Sequence, residues 1–133
     1  MSLLLDTHTW IWWLTGQEEL SRKERQKIDS LAEKTPPVIS DISLWEAQMI
    51  YAKGRLKLTI PFSQWLIQAT LPDVVQLARL SPDVILKLDN LPSGFHGDPA
   101  DRIIVATALS LGIPLFTYDR MIRSSRVVDI WKV

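Results

Sequence analysis

Residues 97–119 read GDPADRIIVATALSLGIPLFTYD. Asp98–Pro99 has the chemistry of a helix start: an acceptor side chain followed by proline at the first helical position. From there to Leu111 the residues are apolar on most sides, so the spacing predicts a buried helix, which Gly112 stops. Leu115 to Thr117 follows as a short buried strand, with Asp119 one residue beyond it. A buried helix feeding a buried strand is one unit of a β/α repeat, and here it carries acids at both ends.

The same rhythm extends towards the N-terminus. Leu3 to Leu5 reads as a strand that runs directly into Asp6. Trp10, Trp13 and Leu14 then recur at helical spacing, and the helix ends near Gly16. Ser21 and Glu24 form a capping-box pattern before a polar surface helix with Ile28 and Leu31 turned inward. Pro36–Pro37 breaks that helix, and Val38–Ile39 is the second strand. A helix from about Ser43 to Ala52 follows, closed by Gly54. Further expectations are a Pro61-initiated helix with Trp65 and Leu66, a third strand within Val74–Leu80, and a Ser81–Pro82 helix start. Val127 to Trp131 is expected as a fifth strand. Apolar runs alternating with helices predict an α/β fold, a mostly parallel sheet with helices on both faces.

The chain has 133 residues and is 47% hydrophobic, which suits one domain over residues 1–133 with a substantial core. No apolar run approaches the ~20 residues of a membrane-spanning helix, and MSLLLD lacks the basic flank and length of a signal peptide. Cysteine is absent, which excludes disulfides and thiolate metal sites. A cytoplasmic location is expected. Fifteen basic residues cancel fifteen acidic ones, so any nucleic-acid contact must be local rather than a bulk electrostatic attraction.

The chemistry-bearing residues are acids at strand ends and helix starts: Asp6, Glu46, Asp101 and Asp119. Parallel strands end along one sheet edge, where open α/β sheets bind ligands. Carboxylates gathered there repel one another, and a divalent cation that favours oxygen relieves the repulsion. The set therefore points to a metal site and to hydrolysis. It is too dispersed for a local calcium loop, whose ligands come from about twelve consecutive residues. Each acid also has a structural reading. Asp6 suits an N-cap, Glu46 completes a Ser43-x-x-Glu46 capping box, and Asp119 suits a solvated turn. Asp41 lies nearer its strand end than Glu46 and is a rival ligand. Asp98 competes with Asp101 in the same way.

Around these acids, Thr117 can hydrogen-bond a carboxylate or a water. Arg102 can pair with an acid or hold a phosphate bidentately. His96, in the turn-rich PSGFHGD, is a candidate to shuttle protons or touch substrate; His8 is expected to point elsewhere once a helix begins beside it. Trp12, opposite Trp10 and Trp13 on its helix, can stack on a base, meet a partner or cover surface. Arg120, Arg123 and Arg126 are placed to meet phosphates. There is no GxGxxG or Walker A loop and no Ser/His/Asp or Cys/His set.

LLLDTHTWIWWLTG, ISDISLWEA, LPSGFHGDPADRIIVATAL and LFTYD, in this order over nearly the whole chain, resemble the PIN-domain ribonucleases. The similarity is to the toxins of virulence-associated (VapC-type) toxin–antitoxin pairs in particular. The resemblance implies a three-layer α/β/α sandwich with a central, mostly parallel sheet. It implies an endoribonuclease dependent on Mg²⁺ or Mn²⁺, hydrolysing phosphodiesters with metal-activated water. Asp6, Glu46, Asp101 and Asp119 match the family's four acids, and Thr117 its supporting hydroxyl. An RNA substrate, a cognate antitoxin and a homodimer are implied as partners. Ala100 stands where many relatives carry an aromatic residue, Gly97 where many carry a basic one, and Asp41 where a small residue is usual. Two other readings compete. A phosphoaspartyl phosphatase wants a second acid two residues after the first, where this chain has His8, and a receiver domain wants paired acids and a late lysine. A non-catalytic PIN-like binding module would not need the full acid set.

Overall fold

The structure is a computed structural model describing residues 2–95 and 97–133. Four short parallel strands form the central sheet: β1 (Leu4–Leu5), β2 (Val38–Ser40), β3 (Gln76–Ala78) and β4 (Leu115–Phe116). Their spatial order is β3-β2-β1-β4. The chain thus builds outward from β1 through β2 to β3, then crosses back to place β4 on the other side of β1. The strand order reverses between β1 and β4, the position at which α/β sheets open a crevice beyond their C-terminal ends.

Helices flank the sheet: α1 (Thr7–Thr15), α2 (Arg22–Lys34), α3 (Ile42–Ala52), α4 (Phe62–Ala69), α5 (Pro82–Asp89), α6 (Pro99–Leu111) and α7 (Arg120–Ser125). The period-two geometry of a strand divides them into two layers. Leu3, Leu5, Ile39 and Phe116 pack with Trp10, Ile28, Ala47 and Trp65 from α1 to α4. Leu4, Val38 and Leu115 face the other way, against Ile104, Val105 and Ala108 of α6 and Ile122 of α7. Around β1, β2 and β4 both sheet faces are therefore dry, which is why these strands read as apolar runs rather than alternating ones, while the edge strand β3 is exposed. The three-layer α/β/α arrangement matches the expectation from sequence.

Local signals set most boundaries. Gly16 and Gly112 end α1 and α6 with φ of 71° and 65°, a conformation that costs a residue with a Cβ. Gly112→Ala should lower stability by about 1 kcal/mol, readable as a shift in urea midpoint at unchanged slope; the site has open space for the methyl group, so only backbone strain is probed. The capping box at α2 forms as expected, with Ser21 accepting from the Glu24 N–H and Glu24 from the Ser21 N–H. Arg25 reaches back to the end of α1, donating to the carbonyls of Trp13 (2.8 Å), Trp12 (3.3 Å) and Gln17 (2.7 Å). Acceptors left over at that helix terminus are thereby satisfied.

Two expectations are corrected. Val127 to Trp131 is not a fifth strand; it makes a single parallel bridge, Ile130 to Leu115. β4 is itself only two residues long, which limits what a further strand can pair with. On the other side, Arg126 adopts φ 60° and the Val127 N–H goes to Ser125 Oγ (3.2 Å), so the ladder cannot lengthen. The Ser43–Glu46 capping box is also absent. α3 begins one residue earlier, at Ile42, with Asp41 in helical conformation and making no side-chain cap bond. Ser43 instead meets Thr7 Oγ1 at 2.9 Å, and Glu46, in the second turn, is held by the same Thr7 hydroxyl.

Candidate active site

Asp6 is the first residue after β1 and caps α1, so the structural and functional readings of this position coincide. Its Oδ1 accepts from the Thr9 N–H (2.9 Å) and from Thr9 Oγ1 (2.8 Å), while Oδ2 accepts from Thr117 Oγ1 (2.5 Å). Only 7% of Asp6 is exposed. Burial pushes its carboxyl above the ordinary carboxylate range, and the hydrogen bonds from Thr117 and Thr9 oppose that rise. Thr117 also accepts from the Asp119 N–H at 3.0 Å, so one hydroxyl ties the end of β1 to the loop after β4.

Glu46 arrives from α3 and is held by the Thr7 hydroxyl. Thr7 has one proton; with that proton on Glu46, the contact with Ser43 is donated by Ser43, and the three side chains form one polarised chain. Burial again raises the Glu46 carboxyl, with Asp98 adding repulsion. Asp98 caps α6, accepting from the Asp101 N–H at 3.1 Å. Asp101, in the first turn, is pushed up to about 7 by burial first and then by the charges of Asp98, Asp119, Glu46 and Asp6. Asp119 caps α7, taking the Ile122 N–H at 2.9 Å.

Asp6, Glu46, Asp98, Asp101 and Asp119 line one cavity of about 440 Å³ at the C-terminal edge of the sheet. Aromatic side chains close its side: His8, Trp12 and Tyr118. Asp41 is not among the lining residues; its N–H pairs with the Ala78 carbonyl at 3.0 Å. Arg102 does not line the cavity either, and its guanidinium donates to the Phe95 carbonyl (3.3 Å), fastening Phe95 to α6. Arg120, Arg123 and Arg126 are likewise absent from the lining. His96 lies outside the described residues.

His8 contradicts the expectation that it would point away. α1 does begin beside it, yet its ring lines the cavity and lies 5.6 Å from that of Trp12, one turn later. The i, i+4 spacing was the available signal. Tyr118, between Thr117 and Asp119, gave none. Its hydroxyl donates to Glu24, and its ring lies 5.5 Å from Trp12.

The donor set suits a hard divalent cation: all five acids offer oxygen, and the repulsion that raises Asp101 is what such an ion would relieve. Among the described residues, no three acidic or histidine side chains form a ready-made ion cage.

The PIN domain pattern matches residues 3–126. This chain therefore belongs to the PIN-domain family. It is 37% identical over 133 residues to Ribonuclease VapC22 of Mycobacterium tuberculosis, covering 98% of each chain. Among solved structures it superimposes on VapBC2 from Rickettsia felis bound to a promoter DNA fragment, with a TM-score of 0.74 at 16% identity over 98% of each chain. A toxin–antitoxin complex from Klebsiella pneumoniae gives a TM-score of 0.63 at 18% identity, over 98% of this chain and 99% of that one.

Proposed function

We propose that this protein is a divalent-cation-dependent endoribonuclease, the toxin of a type II toxin–antitoxin pair. The observation that carries the reading is the convergence of Asp6, Glu46, Asp98, Asp101 and Asp119 on one cavity at the sheet's switch point, within a PIN-domain chain. The name of its mycobacterial relative supports ribonuclease chemistry, and its structural likeness to a toxin–antitoxin complex supports an antitoxin partner. We read residues 1–133 as a single nuclease domain that works in the cytoplasm as a homodimer. No helix among the described residues is long and apolar enough to cross a membrane.

Asp6, Glu46 and Asp101 would hold Mg²⁺ or Mn²⁺, in part through waters, with Asp98 and Asp119 in the same cavity. When bound, the cation supplies Lewis-acid polarisation of the phosphate and lowers the pKa of a coordinated water. Thr117 fixes Asp6 Oδ2 and, through the Asp119 N–H, the loop that carries Asp119. Thr7 fixes Glu46. Asp119 orients the attacking water against the phosphate. The first test is incubation of single-stranded RNA with the purified protein. Cleavage in Mg²⁺ or Mn²⁺ that stops with excess chelator is expected; undiminished cleavage in chelator would overturn the reading.

Thr117→Val isolates the supporting hydroxyl. The part-buried Asp119 N–H and the buried Asp6 carboxylate each lose a partner, which should cost about 1–3 kcal/mol of stability. Because a supporting contact orients a ligand, activity should fall roughly tenfold to a hundredfold. Thr117→Ser should restore most of both. Melting curves and cleavage rates of the two variants check this together.

A further inference from the structure

The acidic cavity does not end at its aromatic wall. A second groove of about 290 Å³ adjoins it and shares His8, Trp12, Glu46 and Asp98 as lining residues. Its other side is chemically different. Ile11, Met49, Ile50 and Leu56 add apolar surface to it, and Lys53 and Arg55, both exposed, belong to the same lining. These two are the only Lys or Arg side chains among the described residues lining either depression. The two depressions together form a trough that holds five carboxylates, a tryptophan and two cations.

We infer that this groove is a subsite for single-stranded RNA in which a base next to the scissile phosphate stacks on Trp12 and the following phosphate meets Lys53 and Arg55. The inference rests on the nuclease reading of the neighbouring cavity. A polyanion is repelled by the acids except where a cation sits among them, so its approach needs positive charge beside the cavity. The chain's formal charge of zero supplies none globally, and Lys53 and Arg55 supply it locally. Trp12 is only half-buried, so part of its ring remains available as a platform. Tryptophan accepts any base, because every base has a π face. The platform is also braced. Its ring lies 5.6 Å from that of His8 and 5.5 Å from that of Tyr118, its carbonyl takes a bond from Arg25, and Tyr118 is tied to Glu24 of α2. A surface held in place before binding loses little entropy on binding. A base must leave its own stack to reach Trp12, so the groove selects unpaired RNA. Lys53 and Arg55 disfavour a basic peptide as the occupant.

The test measures binding of a fluorescent single-stranded RNA octamer, carrying phosphorothioate linkages that slow turnover, to the protein with its acids intact in Mg²⁺. Trp12→Ala should weaken binding roughly tenfold to a hundredfold, and Trp12→Phe should recover most of it. Placing abasic sites along the octamer should reveal one position at which the Trp12→Ala penalty disappears, an effect that loss of packing would not produce. Trp12 packs partly against the core, so a second pair of changes avoids that risk. Lys53→Gln with Arg55→Gln should lower the slope of log affinity against log salt by about 0.7, the value for one lost phosphate contact. A duplex of the same sequence should bind more weakly than the single strand. Equal affinity and equal salt slope across all variants would leave the groove to a protein segment and overturn the inference. If the wild type cleaves RNA while these variants bind normally, the subsite fails and the nuclease reading stands. If the wild type cleaves nothing yet binding depends on Trp12, the nuclease reading fails and the groove stands as an RNA site.

Discussion

Asp6→Asn should lower RNA cleavage by about a thousandfold while leaving the protein folded and at least as stable without metal. The two halves of this expectation have separate causes. Asparagine is as good an N-cap as aspartate, so the Thr9 N–H keeps its acceptor and α1 keeps its start. Thr117 would lose an acceptor, but its hydroxyl can accept from the new amide as well as from the Asp119 N–H. The buried charge is gone, and with it the desolvation that raises the Asp6 carboxyl. What disappears is the negative charge that would help bind the cation at the centre of the acid set. Mg²⁺ should accordingly raise the melting temperature of the wild type and not that of the variant. Metal-dependent cleavage retained at the wild-type rate would remove Asp6 from the site.

The strand-end acids were legible because one pattern served two physical ends. An apolar run followed by an acid marks both a buried strand and the cap of the next helix, and at Asp6 and Asp119 the same side chain is both cap and cavity wall. Periodicity located the buried α6, since its apolar residues leave little doubt about burial. Register-dependent contacts were beyond the sequence. The pairing of Thr7 with Glu46 across 39 residues depends on where α3 starts, and a capping-box pattern pointed to the wrong start. In the fold, Ser43 is drawn to Thr7 on the neighbouring helix, a tertiary partner that local spacing cannot reveal. The cations show the same limit. Arg102, Arg120, Arg123 and Arg126 lie close to the acids in sequence, whereas Lys53 and Arg55, beyond the end of α3, are the ones the fold brings to the trough. The 127–131 segment had the composition of a strand, but β4 left it only one residue with which to pair.

The acid cluster also predicts opposite pH responses for the protein with and without metal. Asp101 moves from an unfolded value of 3.8 to about 7 in the folded chain, and burial raises Asp6 and Glu46 in the same direction. A carboxyl whose pKa is raised by folding binds more protons folded than unfolded. Its contribution is therefore fully stabilising below pH 4 and is lost as the pH climbs to about 7. With Asp101 only partly buried, solvent screening reduces its share to about 1–2 kcal/mol. In chelator, the melting temperature should fall by several degrees between pH 5 and pH 8. Metal ligation requires the deprotonated acids, so cation affinity follows the reverse course. With Asp101 as one displaced proton, affinity should drop about tenfold per pH unit below 7, or about a hundredfold between pH 7 and pH 5. Added Mg²⁺ should then raise the melting temperature at pH 8, where it offsets the repulsion among ionised acids, and have almost no effect at pH 5. Asp101→Asn removes the group that titrates in this window and should flatten both curves. An Mg²⁺-induced shift of equal size at pH 5 and pH 8 would mean that the ion does not bind at these carboxylates.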